Sequence, residues 1–137
     1  MFFKRKKGQR SYNLINVAAL LIHAAKIDEN FSQKEEEIIK QTLIKIDADD
    51  NDIENILIKA KEKEKNSNQI LDFTKEVKNM NNTDKTKIVE TLWQIIYSNN
   101  IADVYESNLM RRLGGLLYID SKTMGDIKEK IKRKNSK

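Results

Sequence analysis

Apolar residues recur along this chain in steps of three and four, broken at intervals by short clusters of Asp, Asn and Ser. That period is helical, and no stretch shows a convincing period of two. The first block, Tyr12 to Ile27, carries Leu14, Ile15, Val17, Ala18, Leu21, Ile22 and Ala25, an apolar face wide enough to predict a central helix buried on most sides. After a turn through Asp28, Glu29 and Asn30, Ser32 and Glu35 have the spacing of a capping box. Ile38, Ile39, Leu43 and Ile46 then carry a second helix to about Ile46. Asp49 or Asp50 is placed to cap a third helix, with Ile53, Ile56, Leu57 and Ala60, which ends in the polar run KEKEKNSN. Ser67 or Asn68 opens a fourth, with Ile70, Phe73, Val77 and Met80 on one face. Asn81 and Asn82 break it, and Thr83 caps a fifth that holds Ile88, Val89, Leu92, Trp93 and Ile96. Asp103 and Glu106 repeat the capping-box spacing ahead of Leu109, Met110, Leu113, Leu116 and Leu117, and Ser121 caps a seventh helix with Met124, Ile127 and Ile131. Gly114 and Gly115 within the sixth predict a close helix approach or a bend. The expected fold is all-α, a single compact bundle of about seven helices.

Two of these hairpins match at an offset of 71 residues: ALLIHAAKIDENFSQKEEEII from Ala19 to Ile39, and ETLWQIIYSNNIADVYESNLM from Glu90 to Met110. Each has an apolar helix, a turn opened by Asp28 or Asn99, a capping residue four positions on (Ser32, Asp103) and a glutamate three further (Glu35, Glu106). Literal identity is sparse, with Leu21/Leu92 and Glu35/Glu106 the clear matches, so the repeat is one of pattern. Two such halves are expected to be pseudo-symmetric helix-turn-helix units that bring their turns together.

Composition sharpens this picture. The 137 residues are long enough for one self-sufficient core. The absence of Pro and the presence of only four Gly favour long helices. The absence of Cys excludes disulfides, thiolate metal sites and cysteine nucleophiles. The net charge of +5 is unevenly placed. Residues 1–10 and 128–137 each carry +5, so residues 11–127 are net −5. We expect a basic flexible tail at 1–10, the helical domain at 11–131 and a basic tail at 132–137. A nucleic-acid-binding fold more often wears its basic residues on the folded face. Basic ends suit loose attraction to an anionic membrane surface or to RNA, with Phe2 and Phe3 adding interfacial insertion, or they are simply solubilising. No apolar run approaches the ~20 residues of a membrane span, and the start has no signal-peptide h-region, so a reducing cytosolic location is expected.

Catalytic constellations fail inspection. Asp47-x-Asp49-x-Asn51 begins like an EF-hand loop, but Asp52 stands where the loop needs Gly and Ile58 where it needs Glu. No phosphate-binding or dinucleotide fingerprint occurs, and a single His without Cys makes a nucleophilic triad untenable. Trp93 fits a core position beside Val89 and Ile96. Arg111 and Arg112 either grip an anionic partner or form a solvated helix face.

The segments Ala18 to Ile38 and Glu90 to Leu117 resemble the TerB-like family, named for bacterial tellurite-resistance proteins. A similar module occurs in membrane-anchored DnaJ-like co-chaperones. Members show an Ala-x-x-Asp-Gly turn and a Glu on the next helix in both halves, and the stretch from Leu92 through Asn99 and Asn100 to Arg112 is especially similar to the second half. The resemblance implies a compact, internally pseudo-symmetric helical bundle. It also implies an acidic cluster where the turns meet, proposed in the family to bind a divalent cation. The implied metal ligands here are Asp28, Glu35, Asn99 and Glu106. This chain departs from the family pattern. Asn99 replaces the second turn Asp, Glu29 and Asn100 replace the glycines, and His23 and Gln94 stand where members often have a further acid. Three carboxylates and an amide still offer oxygen to Ca²⁺ or Mg²⁺ with less charge, while His23 would favour Zn²⁺ or Mn²⁺. The competing reading makes Glu35 and Glu106 capping residues and His23 a structural histidine.

The expectation is therefore a non-enzymatic scaffold or stress-response domain with a protein partner, peripheral to the inner membrane face. A small nucleic-acid-associated protein acting through its basic tails is the alternative.

Overall fold

The structure, a computed structural model, describes residues 7–26, 33–46, 50–66, 71–97 and 104–135. Seven helices follow in order: α1 (Lys7–Ala25), α2 (Gln33–Lys45), α3 (Ile53–Asn66), α4 (Leu71–Val77), α5 (Asn82–Tyr97), α6 (Val104–Leu116) and α7 (Ser121–Asn135). A 3₁₀ turn, Asp50–Asp52, leads into α3. No strand occurs among the described residues. The chain is all-α, as its periodicity predicts.

The broad apolar face of the first block makes α1 the axis of the molecule. Leu14, Val17 to Ile22, Ala24 and Ala25 are all buried, and α1 packs against α2, α3, α4 and α5. The second axis is α5, which buries Ile88, Val89, Leu92, Trp93, Ile95 and Ile96 and packs against α1, α2 and α7. The α2–α5 contact centres on Thr42 and Thr91, whose hydroxyls lie 2.6 Å apart in a buried setting. Each hydroxyl also reaches a carbonyl of its own helix, Thr91 that of Lys87 at 2.8 Å and Thr42 that of Ile38 at 3.1 Å, so either one can donate across the pair while the other donates to its helix.

The 71-residue repeat survives in three dimensions and extends beyond the hairpins that announced it. α2 and α6 have 13 residues each, and their bounds differ by 71 at both ends. Burial repeats at the same offset: Leu21 and Leu92, Ile39 and Met110, Leu43 and Gly114, Ile46 and Leu117. It continues into α3 and α7, where Ile53, Ile56 and Ala60 correspond to Met124, Ile127 and Ile131. α7 packs on α5 as α3 packs on α1. Each half is thus three helices, and α4 joins them, resting on α1 of the first half and α6 of the second.

Several boundaries differ from expectation. α1 runs from Lys7 to Ala25 rather than Tyr12 to Ile27. α7 continues to Asn135, so Lys132, Arg133 and Lys134 of the basic tail are helical. Lys and Arg are good helix formers, and cations suit a helix C-terminus. α3 does end within the polar run, at Asn66, and the KEKEKN stretch forms its last turns, where Lys63 and Glu64 bond back to α1. Lys63 Nζ donates to Asn16 Oδ1. The cap of α5 is Asn81, not Thr83: Asn81 Oδ1 accepts from the Asp84 amide at 2.8 Å, and its Nδ2 donates back to Asp84 at 3.3 Å. The cap of α7 is Asp120, not Ser121: its carboxylate accepts from the Thr123 amide at 2.6 Å. In both places the chain uses the residue just before the first helical one, which is where a cap must sit. Of the proposed helix starts, Ser32, Asp49, Ser67, Asn68 and Asp103 lie outside the described residues.

Candidate functional site

The four ligands implied by resemblance are only partly visible. Asp28 and Asn99 lie outside the described residues. Glu106 is the third residue of α6, but its side chain is also outside them. Glu35 is the third residue of α2 and is only 3% exposed. The register of the two halves is therefore kept at the glutamates, each at the third position of a 13-residue helix. An all-oxygen set of three carboxylates and an amide fits a hard divalent cation. Among the described residues no group of three His, Cys, Asp or Glu side chains is placed to hold a metal.

His23 is engaged elsewhere. Its Nδ1 lies 3.2 Å from Glu64 Oε2, and Lys26 Nζ donates to Glu64 Oε1 at 2.8 Å. The Phe73 ring lies 6.2 Å from the imidazole. Glu64 is 10% exposed at its side chain. Burial opposes its ionisation, but hydrogen bonds from Lys26 and His23 outweigh that, and its carboxyl is held below the usual glutamate range. This cluster ties the C-terminal turns of α1 and α3 together. Sequence reasoning missed Glu64 because it stands in a run of alternating charges that looks wholly solvated.

The C-terminus of α6 is a second built feature. Ile119 donates its amide to the Gly114 carbonyl at 2.9 Å, and Tyr118 to Gly115 at 3.3 Å. This is the paired bonding of a Schellman motif, with Tyr118 at φ 59° in the position usually given to Gly. The Leu117 carbonyl is taken by Lys85 Nζ at 2.9 Å. Lys85 is 8% exposed. Two residues on, Lys87 Nζ donates to the Lys45 carbonyl at the end of α2 at 3.2 Å. One turn of α5 thus supplies cations to the negative ends of both register-matched helices. Tyr118 stands 73% exposed, with Lys78 and Lys85 ammonium groups 5.6 and 6.0 Å from its ring centre.

The largest departure from the repeat lies between α6 and α7. There a cleft of about 640 Å³ is lined by Trp93, Met110, Arg111, Gly114, Gly115, Met124, Gly125 and Lys128 among others. Three of the chain's four glycines line it. At the matching positions, the first half has Leu43, Ile44 and Glu54. A Cβ on Gly114 would meet Met124 Cε at 3.2 Å, so close approach accounts for that glycine. Nothing lies within 4 Å of a Cβ on Gly115 or Gly125. Packing does not require either, although helical Gly costs roughly 1 kcal/mol relative to Ala. Lys128 replaces Leu57 of the first half, and its ammonium sits 5.5 Å from the Trp93 ring centre. Trp93 is 3% exposed and stacks on Tyr97 at 5.7 Å. Its indole N–H is buried without a hydrogen-bond partner among the described residues, a deficit worth about 1–3 kcal/mol. A core reading of Trp93 is correct as to burial, but does not foresee the cleft beside it. Aligning the halves would have revealed it, because glycines then fall opposite Leu43, Ile44 and Glu54.

A bundle of two register-matched three-helix units joined by a short helix defines a class of all-α repeat domain, with its acidic helix starts in equivalent places. The chain belongs to the TerB family: the family described as "Tellurite resistance protein TerB" matches residues 14–129. No curated protein and no solved structure matches the chain. No helix among the described residues is long and apolar enough to cross a membrane.

Proposed function

We propose that this TerB-family chain is a non-enzymatic scaffold of a stress response, whose two turns hold a divalent cation and so regulate the grip on a protein partner. The observation that carries this reading is the retained register of Glu35 and Glu106, each third in its 13-residue helix and 71 residues apart. Asp28, Glu35, Asn99 and Glu106 would hold the ion through oxygen. A bound cation would offset the repulsion of the carboxylates that the two turns would bring together. It would supply charge neutralisation and rigidity rather than Lewis-acid chemistry. Kinship with the helical module of DnaJ-like co-chaperones, and a place at the inner membrane face, belong to the same reading. The exposed Lys and Arg residues near the end of α7 support the latter.

A pull-down with the full chain, with Ca²⁺ or Mg²⁺ and with EDTA, tests the proposal. Capture of the same partner only with the cation supports it. Capture indifferent to EDTA removes the cation from the function.

A further inference from the structure

Between α6 and α7 the second half has exchanged side chains for space. The first half closes the corresponding surface with Leu43 and Leu57, and with an ion pair from Lys40 to Glu54 at 2.8 Å. The second half has Gly114 for Leu43, Lys128 for Leu57 and Gly125 for Glu54, while Arg111 takes the place of Lys40. Arg111 therefore keeps its charge without a carboxylate opposite, and it has no ion-pair partner among the described residues. Two cations, Arg111 and Lys128, now border a cleft floored by the nearly buried Trp93, Met110 and Met124 and walled by helical backbone at Gly114, Gly115 and Gly125. Asp120, the one acid in the lining, is already spent as the cap of α7, through the Thr123 amide.

We propose that this cleft binds a small soluble organic anion with an apolar body, held at its head by Arg111 and Lys128 and packed against the Trp93 indole. Its size, about 640 Å³, falls within the usual range for small-molecule sites, as does the mixture of apolar walls and a few polar groups. The head is anionic because Arg111 and Lys128 have no carboxylate partner among the described residues, and the Arg111 guanidinium can bind a carboxylate or sulfonate through two parallel N–H groups. The body is apolar and flat because it must slip between glycine backbone on α6 and α7, above the floor of Trp93, Met110 and Met124. Methionine and glycine suit such a guest, the first by adapting its shape and the second by removing the side chain that would fill the space. The Trp93 N–H can donate but not accept. Buried without a partner among the described residues, it calls for an acceptor and not for a cation. None of the four implied metal ligands is among the described residues that line this cleft, so the proposal does not depend on a metal.

Trp93 is the only tryptophan, so the full-length protein reports on its own cleft. The probe is 8-anilinonaphthalene-1-sulfonate, with uncharged N-phenyl-1-naphthylamine as the neutral counterpart of similar shape. The expected result is saturable binding of one sulfonate probe per chain, with a shift of the single indole N–H resonance in a proton–nitrogen spectrum. Binding of the neutral probe should be weaker by about tenfold or more, the scale of a single charge-assisted hydrogen bond, and so should sulfonate binding to Arg111→Gln/Lys128→Met. Gly125→Leu should abolish binding while leaving the cooperative melt in place, since a Cβ there meets nothing within 4 Å. Gly115→Ala is a milder second filling variant, expected to weaken binding and to raise stability. Equal affinity for the two probes, or sulfonate binding undiminished in Gly125→Leu, would overturn the proposal. So would an indole shift with phosphatidylglycerol vesicles but none with the soluble probe.

Discussion

The ammonium of Lys85, near the start of α5, donates to the main-chain carbonyl of Leu117, at the end of α6, across 2.9 Å. A buried lysine usually finds a carboxylate, whereas this one finds the negative end of a helix. The same place in the first half is held by Leu14. The second half has therefore replaced an apolar contact with a polar one that needs both ends intact. Lys85→Met keeps the stem and removes the donor. It should lower stability by about 1.5–3 kcal/mol, the range for a hydrogen bond to a charged group whose partner is left buried. Urea denaturation with an unchanged slope, and unchanged helical circular dichroism, would locate the loss in this contact.

Tyr118 sits at φ 59°, in the left-handed region where a side chain costs roughly 1–2 kcal/mol. Its ring contacts with Lys78 and Lys85 are exposed and return about 0.5–1 kcal/mol. Tyr118→Gly should therefore be close to neutral, and Tyr118→Ala should be destabilising, because it keeps the strain and loses the ring. The expected gap between the two variants is about 1 kcal/mol in favour of Gly. Thermal melts of the pair measure it, and Ala at or above Gly would mean that the turn carries no strain.

Glu64 supplies a pH dependence. Its folded carboxyl titrates below the ordinary value of 4.5, because hydrogen bonds from Lys26 and His23 outweigh the effect of burial. A lowered folded pKa means that the unfolded chain binds the proton first on acidification. The stabilisation is thus complete above the ordinary value and is lost as pH falls through the folded one. Glu64→Gln should cost about 1 kcal/mol or less at pH 7, and its deficit should shrink as pH falls below the ordinary value of 4.5. Denaturation midpoints of both proteins from pH 7 to pH 3 check this. A deficit that persists at low pH would assign the effect to packing instead.

The turns can be tested by charge. If a divalent ion binds only the folded state, it stabilises that state by about 2.7 kcal/mol at a hundredfold excess over its dissociation constant. Asp28→Ala should abolish the rise in Tm, and Asn99→Asp, which restores an acid at the equivalent turn, should enlarge it. Melts with Ca²⁺, Mg²⁺, Mn²⁺ and Zn²⁺ against EDTA provide the measurement. If no ion moves the midpoint of the wild type or of Asn99→Asp, Glu35 and Glu106 are capping residues only.

Much of this architecture was legible in the sequence, for a definite reason. Leu14 to Ala25 and Ile88 to Ile96 are buried on most sides, and a face that wide cannot be mistaken for a strand or a loop. The capping boxes gave the 71-residue offset, from which the bounds of α2 and α6 follow. The extension of the repeat into α3 and α7 was not legible. Of Ile53, Ile56 and Ala60 only Ile56 meets an identical residue, Ile127, and one match along a helix is too little to show a repeat. The caps were misplaced by one or two residues, because runs such as Asn81-Asn82-Thr83 and Asp120-Ser121 offer several good caps side by side. The roles of Glu64 and Lys85 depend on partners 38 and 32 positions away, which no local pattern can supply. The family resemblance directed attention to the acidic turns, whereas the α6–α7 cleft emerges only when the two halves are laid against each other.

A helix of seven residues has no stability of its own in water. α4 persists because Phe73 and Val77 are wholly buried, with α1 on one side and α6 on the other. It is therefore a latch between the halves, and it can hold only while both are in place. Its amides should exchange with solvent whenever either half opens, and so no more slowly than those of the less stable half. A disturbance confined to either half, including occupation of a site far from α4, would be registered there first. The weakest helix of the bundle is in this sense its most sensitive gauge.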